Sequence, residues 1–329
     1  MSIQYKAFRV KEVDGKFEHD VQMLSTNELP FGDVLVKVQY SSLNYKDALS
    51  ATGNKGITKQ YPHTPGIDAS GVVEHSTDAR FNVGDEVIVT GYDLGMNTAG
   101  GFGQYIRVPS DWVVKLPSGL TTKEAMIIGT AGFTSGIMIT RLMEQVKPAD
   151  GRVIVSGATG GVGSMALAIL SKLGYQTVAV SGKTSEHDFL TRLGVSEIIS
   201  RSQFLSLDKK PILSAQYAGG IDTVGGQILE NIVKMLMPLG AVTTCGSVAG
   251  TELNLSVFPF ILRGISLVGI SAQNYPMDLR RILWKKLANE WKPTRLMDLY
   301  TEITLDELLD YVQAILQGKI KGRTIVKLF

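Results

Sequence analysis

Apolar residues follow two different rhythms along this chain. In residues 1–125 they come as short runs, at 34–40, 69–75, 86–90 and 105–108, with Gly and Pro between them at close intervals. That punctuation predicts a strongly bent, barrel-like sheet rather than strand–helix–strand units. Residues 121–145 then predict an apolar helix, with Thr121 or Thr122 placed to cap it and Glu124 in its first turn. From Arg152 to Ile270 strands and helices alternate. The predicted strands lie at 153–156, 177–181, 197–200, 221–224, 241–245 and 265–270, and the predicted helices at 162–172, 184–193 and 226–237. Such alternation predicts a parallel sheet with helices on both faces and a ligand at the carboxyl ends of its strands. The tail predicts helices at 279–290 and 305–317 and a closing strand at 324–328 that returns to the first domain.

The most informative stretch is 152–163, Arg-Val-Ile-Val-Ser-Gly-Ala-Thr-Gly-Gly-Val-Gly. A β-branched run enters a glycine-rich turn that opens directly into an apolar helix, and Ala158, Gly160 and Gly163 fall in dinucleotide-binding spacing. Small residues let the chain reverse tightly, let its backbone approach a pyrophosphate and let the helix pack close to the sheet. Amides at the helix start then face the phosphates. Ala158, Thr159, Gly160, Gly161, Val162 and Gly163 are therefore candidate cofactor-binding residues. The fold class expected is α/β, with a Rossmann-type doubly wound parallel sheet over 126–270 and a β-rich domain formed by 1–125 and 271–329. An NAD site usually carries an Asp or Glu at the tip of the second strand for the ribose 2′-hydroxyl. This chain has Ser181, Gly182, Lys183 and Thr184 there, with no acid before Glu186. A solvated loop lysine is the plain alternative at Lys183, but the missing acid favours a 2′-phosphate held by Ser181 and Lys183. Arg201, past the third strand, is a second candidate cation, so the cofactor expected is NADPH.

Bulk properties narrow the partners. The chain has 329 residues, 44% of them hydrophobic, and a net charge of +2 with both signs interspersed. It can bury two sizeable cores, and nothing in the charge pattern calls for nucleic acid or a membrane surface. The longest apolar runs are shorter than the ~20 residues a membrane span needs, and no secretory signal pattern opens the sequence. A cytoplasmic protein acting on a small molecule is the expectation. One cysteine, Cys245, excludes an internal disulfide, and the four histidines have no ligand-like spacing, so no metal site is expected.

Several short segments in this order carry a resemblance. They are Asn44-Tyr45-Lys46-Asp47-Ala48-Leu49, Pro65-Gly66-Ile67-Asp68-Ala69-Ser70-Gly71, Phe81-Asn82-Val83-Gly84-Asp85-Glu86-Val87, Gly100-Gly101-Phe102-Gly103-Gln104-Tyr105, Gly129-Thr130-Ala131-Gly132-Phe133-Thr134 and Lys321-Gly322-Arg323. With the Ala-x-Gly-Gly-x-Gly turn between them, the whole chain resembles the medium-chain dehydrogenase/reductase superfamily. That resemblance implies a GroES-like catalytic domain beside the Rossmann domain. Zinc-dependent members carry Cys at the place of Asn44 and Gly-His-Glu at the place of Gly66-Ile67-Asp68. Asn, Ile and Asp cannot hold a first-row metal tightly there. The resemblance is thus to the zinc-free, quinone oxidoreductase-like group, and within it to the acryloyl-CoA reductase branch.

Hydride addition to an enoyl thioester builds an enolate, which needs hydrogen-bond donors at the oxygen and a proton at the α-carbon. Asn44, Tyr45, Lys46 and Asp47 offer an amide, a phenol, an ammonium and a carboxylate within one turn. The resemblance implies that this segment faces the nicotinamide, with Tyr45 nearest the reacting carbons and Asn44 as donor or substrate orienter. Asp47 is a third candidate, although a short acid after a turn often caps the next helix. The resemblance also implies that Thr130 and Thr134 lie against the nicotinamide or ribose, with backbone contacts near Gly246-Ser247 and Ile270-Ser271. Arg323 either reaches the cofactor phosphates or substrate, or is a surface arginine before the last strand. A quinone is the alternative substrate, and a non-catalytic, crystallin-like NADPH-binding protein the minor one. The apolar segment 255–270 at a sheet edge needs covering, so a homodimer is expected.

Overall fold

The computed structural model describes residues 2–329, and the chain folds into two compact units. One comprises Met1–Thr130, Gln273–Asn289 and Tyr300–Phe329; the other comprises Ala131–Ala272 and Glu290–Leu299. The expected domain limits at 125/126 and 270/271 thus move by a few residues. The stretch 290–299, expected with the first domain, belongs to the second unit.

The first unit is built on a seven-stranded sheet. Its path runs Tyr300–Ile303, Arg323–Lys327, Val34–Leu43, Asp68–Ser76, Glu86–Thr90, Val113–Lys115, with Tyr105–Val108 also paired to Val34–Leu43. The last strand does return, pairing Thr324 with Leu43. Two register shifts between Val34–Leu43 and Asp68–Ser76 give the local bends that curl such a sheet. Val34, Val36, Val38, Ala69, Val87 and Phe102 meet in its core. The strand continues three residues past the expected end at 40, because Ser41 and Ser42 satisfy their hydroxyls inside, on Asp68. The hairpin Gln4–Val13/Lys16–Ser25 escaped the apolar pattern, since Glu18, His19 and Asp20 interrupt its second strand. Its turn, Asp14-Gly15 with φ 50° and 74°, is a hairpin signal that the sequence did carry.

The helix Thr122–Leu142 breaks at Gly129, where φ is 51° and ψ −163°. With 21 residues it is long and apolar enough to cross a membrane, against the expectation from apolar runs alone, but 83% of its most apolar window is buried.

The second unit is a six-stranded parallel sheet. Across the sheet the strands run Glu197–Ser200, Thr177–Ser181, Val153–Val155, Tyr217–Asp222, Leu236–Thr244, Ser266–Gly269. In chain order this is 3-2-1-4-5-6, the Rossmann order, with its switch between the first and fourth strands. The helix after the glycine turn is Gly161–Lys172, as expected to within one residue. The helix expected at 184–193 is a 3₁₀ turn, Thr184–Glu186, followed by the helix His187–Arg192. The strand expected at 241–245 begins at Leu236, because Pro238 and Gly240 read as breakers whereas the strand accommodates them at a register shift.

Candidate active site

In the dinucleotide unit the strand Val153–Val155 delivers the chain to Gly157, whose φ is 57°. A Cβ there would stand 2.1 Å from Thr223 Oγ1, and one at Gly163 would stand 2.3 Å from the Gly157 carbonyl oxygen. The glycines are therefore demanded by close backbone approach. Gly160 caps the helix Gly161–Lys172, and its amide donates to the Gly157 carbonyl at 2.9 Å. Ala158 and Thr159 are buried, while Gly161 and Val162 remain partly exposed. One residue that pattern reading missed holds this end of the sheet together. The buried Asp222 carboxylate accepts from Ser156 Oγ at 2.6 Å, Gly225 N at 2.9 Å and Thr244 Oγ1 at 2.8 Å, which ties three central strands at their carboxyl ends. An acid closing the apolar strand Tyr217–Asp222 was the available signal.

The structure brings Ser181, Lys183 and Arg201 together. Ser181 pairs in register with Ser200, immediately before Arg201, and Ser181 Oγ accepts from Lys183 N at 3.1 Å. A Cβ on Gly182 would lie 3.2 Å from Arg201 Cζ, so the guanidinium packs against the glycine backbone. Gly246 and Ile270 follow the fifth and sixth strands at the same sheet end; Ile270 N donates to Thr244 O at 2.9 Å. A Cβ at Gly246 would sit 1.9 Å from Thr223 O. Thr134 is buried in the same unit. Burial pushes the Cys245 thiol up to about 12, which leaves it a structural residue.

In the barrel unit the candidate residues form a buried polar cluster around Asp68. Its carboxylate accepts from Ser42 Oγ at 2.6 Å, Asn44 Nδ2 at 2.8 Å, Thr130 N at 2.9 Å and Thr130 Oγ1 at 2.6 Å. Arg323 Nη2 lies 3.8 Å from it. Arg323 was expected on the surface or on a ligand, and the structure corrects the first and assigns its donors to the protein. It is 3% exposed, with Nε donating to Ile127 O, Nη1 to Leu43 O and Asn44 Oδ1, and Nη2 to Ser42 Oγ. A guanidinium that makes these four hydrogen bonds to the protein, beside the Asp68 carboxylate, is a buried counter-ion. Asp68 was read only as part of a motif, because its partners lie far away in sequence.

Asp47 does cap its helix, Tyr45–Ala51, accepting from Asn44 N at 2.8 Å. Its other oxygen accepts from Ile67 N at 2.8 Å. Burial first, and then the charge of Asp68, pushes the Asp47 carboxyl up to about 7. Asn44 was offered as a substrate donor. Its Nδ2 instead donates to Ser42 O, Asp47 Oδ2 and Asp68 Oδ2, and its Oδ1 accepts from Arg323. Tyr45 differs from its neighbours: it is 39% exposed, at the first position of the helix. Thr130 holds Asp68 through both its amide and its hydroxyl, and Gly129 allows it. A Cβ on Gly129 would stand 2.7 Å from Arg323 Nη2, Asp68 Oδ2 and Ser42 Oγ alike.

These residues do not fit a zinc ion. Ile67 offers no ligand, the Asp68 oxygens are already bonded, and a guanidinium occupies the cluster where a dication would have to sit.

Residues 30–118 match the family described as alcohol dehydrogenase GroES-like domain, and residues 161–289 that described as zinc-binding dehydrogenase. A Bacillus subtilis protein named "Putative quinone oxidoreductase YhfP" is 42% identical over all of both chains. Its crystal structure with NAD bound superposes with a TM-score of 0.96 at 41% identity, covering 99% of this chain and 100% of that one. An Escherichia coli protein named "Probable acrylyl-CoA reductase AcuI" is 42% identical over 98% of this chain and 99% of its own. The Salmonella enterica yhdH oxidoreductase in complex with NADP gives a TM-score of 0.95 at 43% identity, over 98% of this chain and 100% of that one. The chain belongs to the medium-chain dehydrogenase/reductase superfamily, in the branch of these oxidoreductases.

Proposed function

We propose that this protein is an NADPH-dependent, zinc-independent reductase of an activated C=C bond, with a short enoyl thioester such as acryloyl-CoA as substrate. The observation that carries the reading is the Asp68–Arg323–Asn44 cluster. It fills the place of a metal with an internally neutralised scaffold and leaves exposed Tyr45 and half-buried Lys46 at the helix start above it. The relatives named for acrylyl-CoA reduction support the substrate class.

When bound, NADPH supplies a hydride. Gly157–Gly163 would cradle its pyrophosphate, and Ser181, Lys183 and Arg201 its 2′-phosphate, as charge-assisted contacts that NADH cannot make. Thr134, with backbone near Gly246 and Ile270, would hold the nicotinamide end. Tyr45 would donate to the thioester oxygen as negative charge gathers there. Asn44, Asp47, Asp68 and Arg323 act through Tyr45, by fixing the helix that carries it.

Quinone reduction is the second reading, favoured by the name of the Bacillus subtilis relative. The test is the initial rate of NADPH and NADH oxidation with acryloyl-CoA, crotonyl-CoA and a benzoquinone. Fast turnover of acryloyl-CoA with NADPH supports the proposal, and turnover of the quinone alone supports the second reading. The assembly proposed is a homodimer. Ser266–Gly269 ends the parallel sheet, and in the segment that leads into it Val257, Ile261 and Leu262 are 64%, 68% and 67% exposed.

A further inference from the structure

Lys46 follows Tyr45 in its helix and has no task in the cluster below. Its Nζ donates to Gln273 Oε1 at 3.0 Å. Gln273 is the residue at which the chain re-enters the barrel unit, in the segment Gln273–Asn289. Its backbone is held from two sides: its carbonyl accepts from Tyr92 N at 2.8 Å and from Arg280 Nη2 at 3.2 Å. Arg280 is 1% exposed and donates to Thr90 O at 2.9 Å and to Thr90 Oγ1 at 3.0 Å. Thr90 in turn is the register partner of Asp68. Tyr92 adopts φ 52°, an uncommon conformation for a bulky residue, stacks on Trp112 and carries the Arg280 guanidinium 4.7 Å from its ring centre.

A backbone fixed this firmly presents one side-chain oxygen to Lys46. An ammonium has three donors, so tying one of them sets the direction of the rest. Burial also lowers the pKa of Lys46 below the usual lysine value, against the opposing pull of Asp47.

We infer that Lys46 is the acid that protonates the α-carbon of the substrate, and that Gln273 is the residue that positions it. The inference rests on the enoyl-thioester reading. Hydride addition forms a C–H bond at the β-carbon while the π pair moves onto the carbonyl oxygen as an enolate. The enolate pair then takes a proton from Nζ to form the α-C–H bond. Lys46 is left as a neutral amine and regains its proton from water. The cofactor loses two electrons and the C=C bond gains them.

The experiment is the pH profile of kcat for acryloyl-CoA reduction in wild type and variants. Lys46 must be protonated to act, so kcat falls as the pH rises through its pKa. The groups that bear on it are Asp47 and Tyr45 on its own helix, with Arg280 and Tyr92 behind Gln273. Gln273→Glu places a carboxylate at the same contact and moves the alkaline limb up by about one pH unit, whereas Gln273→Leu removes the contact to the charged form and moves it down. Lys46→Met lowers kcat on the order of a hundredfold and abolishes the limb. Lys46→Arg keeps the charge, cannot release a proton, and stays slow. NADPH binding, followed by fluorescence, stays at the wild-type level in each variant and shows that it is folded. A limb unmoved by both Gln273 variants, or one lost in Tyr45→Phe while Lys46→Met stays within about threefold of wild type, overturns the inference and leaves the reading intact. A wild-type enzyme that turns over quinones and no thioester overturns the reading itself.

Discussion

At the scale of single residues, the barrel unit concentrates its cost in one place, where two carboxylates, Asp47 and Asp68, are buried with one guanidinium, Arg323. Asp68 is held by short hydrogen bonds and the Arg323 charge, whereas Asp47 is desolvated beside a like charge and its carboxyl rises to about 7. The sign of the linkage follows. The folded protein keeps a proton on Asp47 at pH values where the unfolded chain, with an ordinary carboxyl near 3.8, has released it. That contribution to stability is complete below the ordinary value and is lost as the pH rises towards about 7. The thermal midpoint of the wild type is therefore expected to fall between pH 5 and pH 8 by more than that of Asp47→Asn. Coincident slopes in the two proteins would contradict the assignment. The segment Asn44–Asp47 stood out in the sequence because four different polar groups share one turn. Arg323 was named as well, but its burial was not legible, because nothing local marks an arginine whose acceptors, Ser42, Leu43, Asn44 and Ile127, come from other parts of the chain.

Secondary-structure elements set where those residues stand. The helix Thr122–Leu142 breaks at Gly129 so that Thr130 can turn its amide onto Asp68, and no side chain fits at the break. Gly129→Ala is expected to destabilise the protein by about 1–3 kcal/mol from the backbone alone, and by more once its Cβ displaces the cluster. A urea midpoint measures it, and a midpoint equal to wild type would show that the cluster tolerates the methyl group. At the tips of the second and third Rossmann strands, Lys183→Glu combined with Arg201→Glu is expected to raise KM for NADPH at least about tenfold and to leave KM for NADH nearly unchanged, since only the former carries the 2′-phosphate. Equal effects on both cofactors would move the phosphate elsewhere. Elements whose apolar period and turn chemistry agreed were legible from sequence, as at 153–163 and 197–200. The hairpin Gln4–Val13/Lys16–Ser25 was not, because a strand built largely of charged and polar residues has no apolar rhythm to read.

For the whole molecule, the parallel sheet followed from the alternation of strands and helices, whereas its strand order and the division into units did not. Helix Thr122–Leu142 runs through the division at 130/131, and the short stretch Glu290–Leu299 joins the dinucleotide unit after the chain has already left it. Long-range packing decides such limits, and no local signal announces it. The exposed edge at Ser266–Gly269 leads to an expectation for the assembly: wild type elutes at the mass of two chains by light scattering, and Ile261→Lys shifts it towards one. A wild-type mass of one chain would remove the dimer.

The proposed reaction delivers a hydride to the β-carbon of an enoyl thioester without a metal. The direct measurement is turnover of acryloyl-CoA with NADPH deuterated at the transferable C4 position, in the presence of a chelator, with the product analysed by mass spectrometry and NMR. The expected product is propionyl-CoA carrying one deuterium at C3 and one proton from solvent at C2. Unlabelled product, label at C2, or loss of turnover on chelation would contradict it.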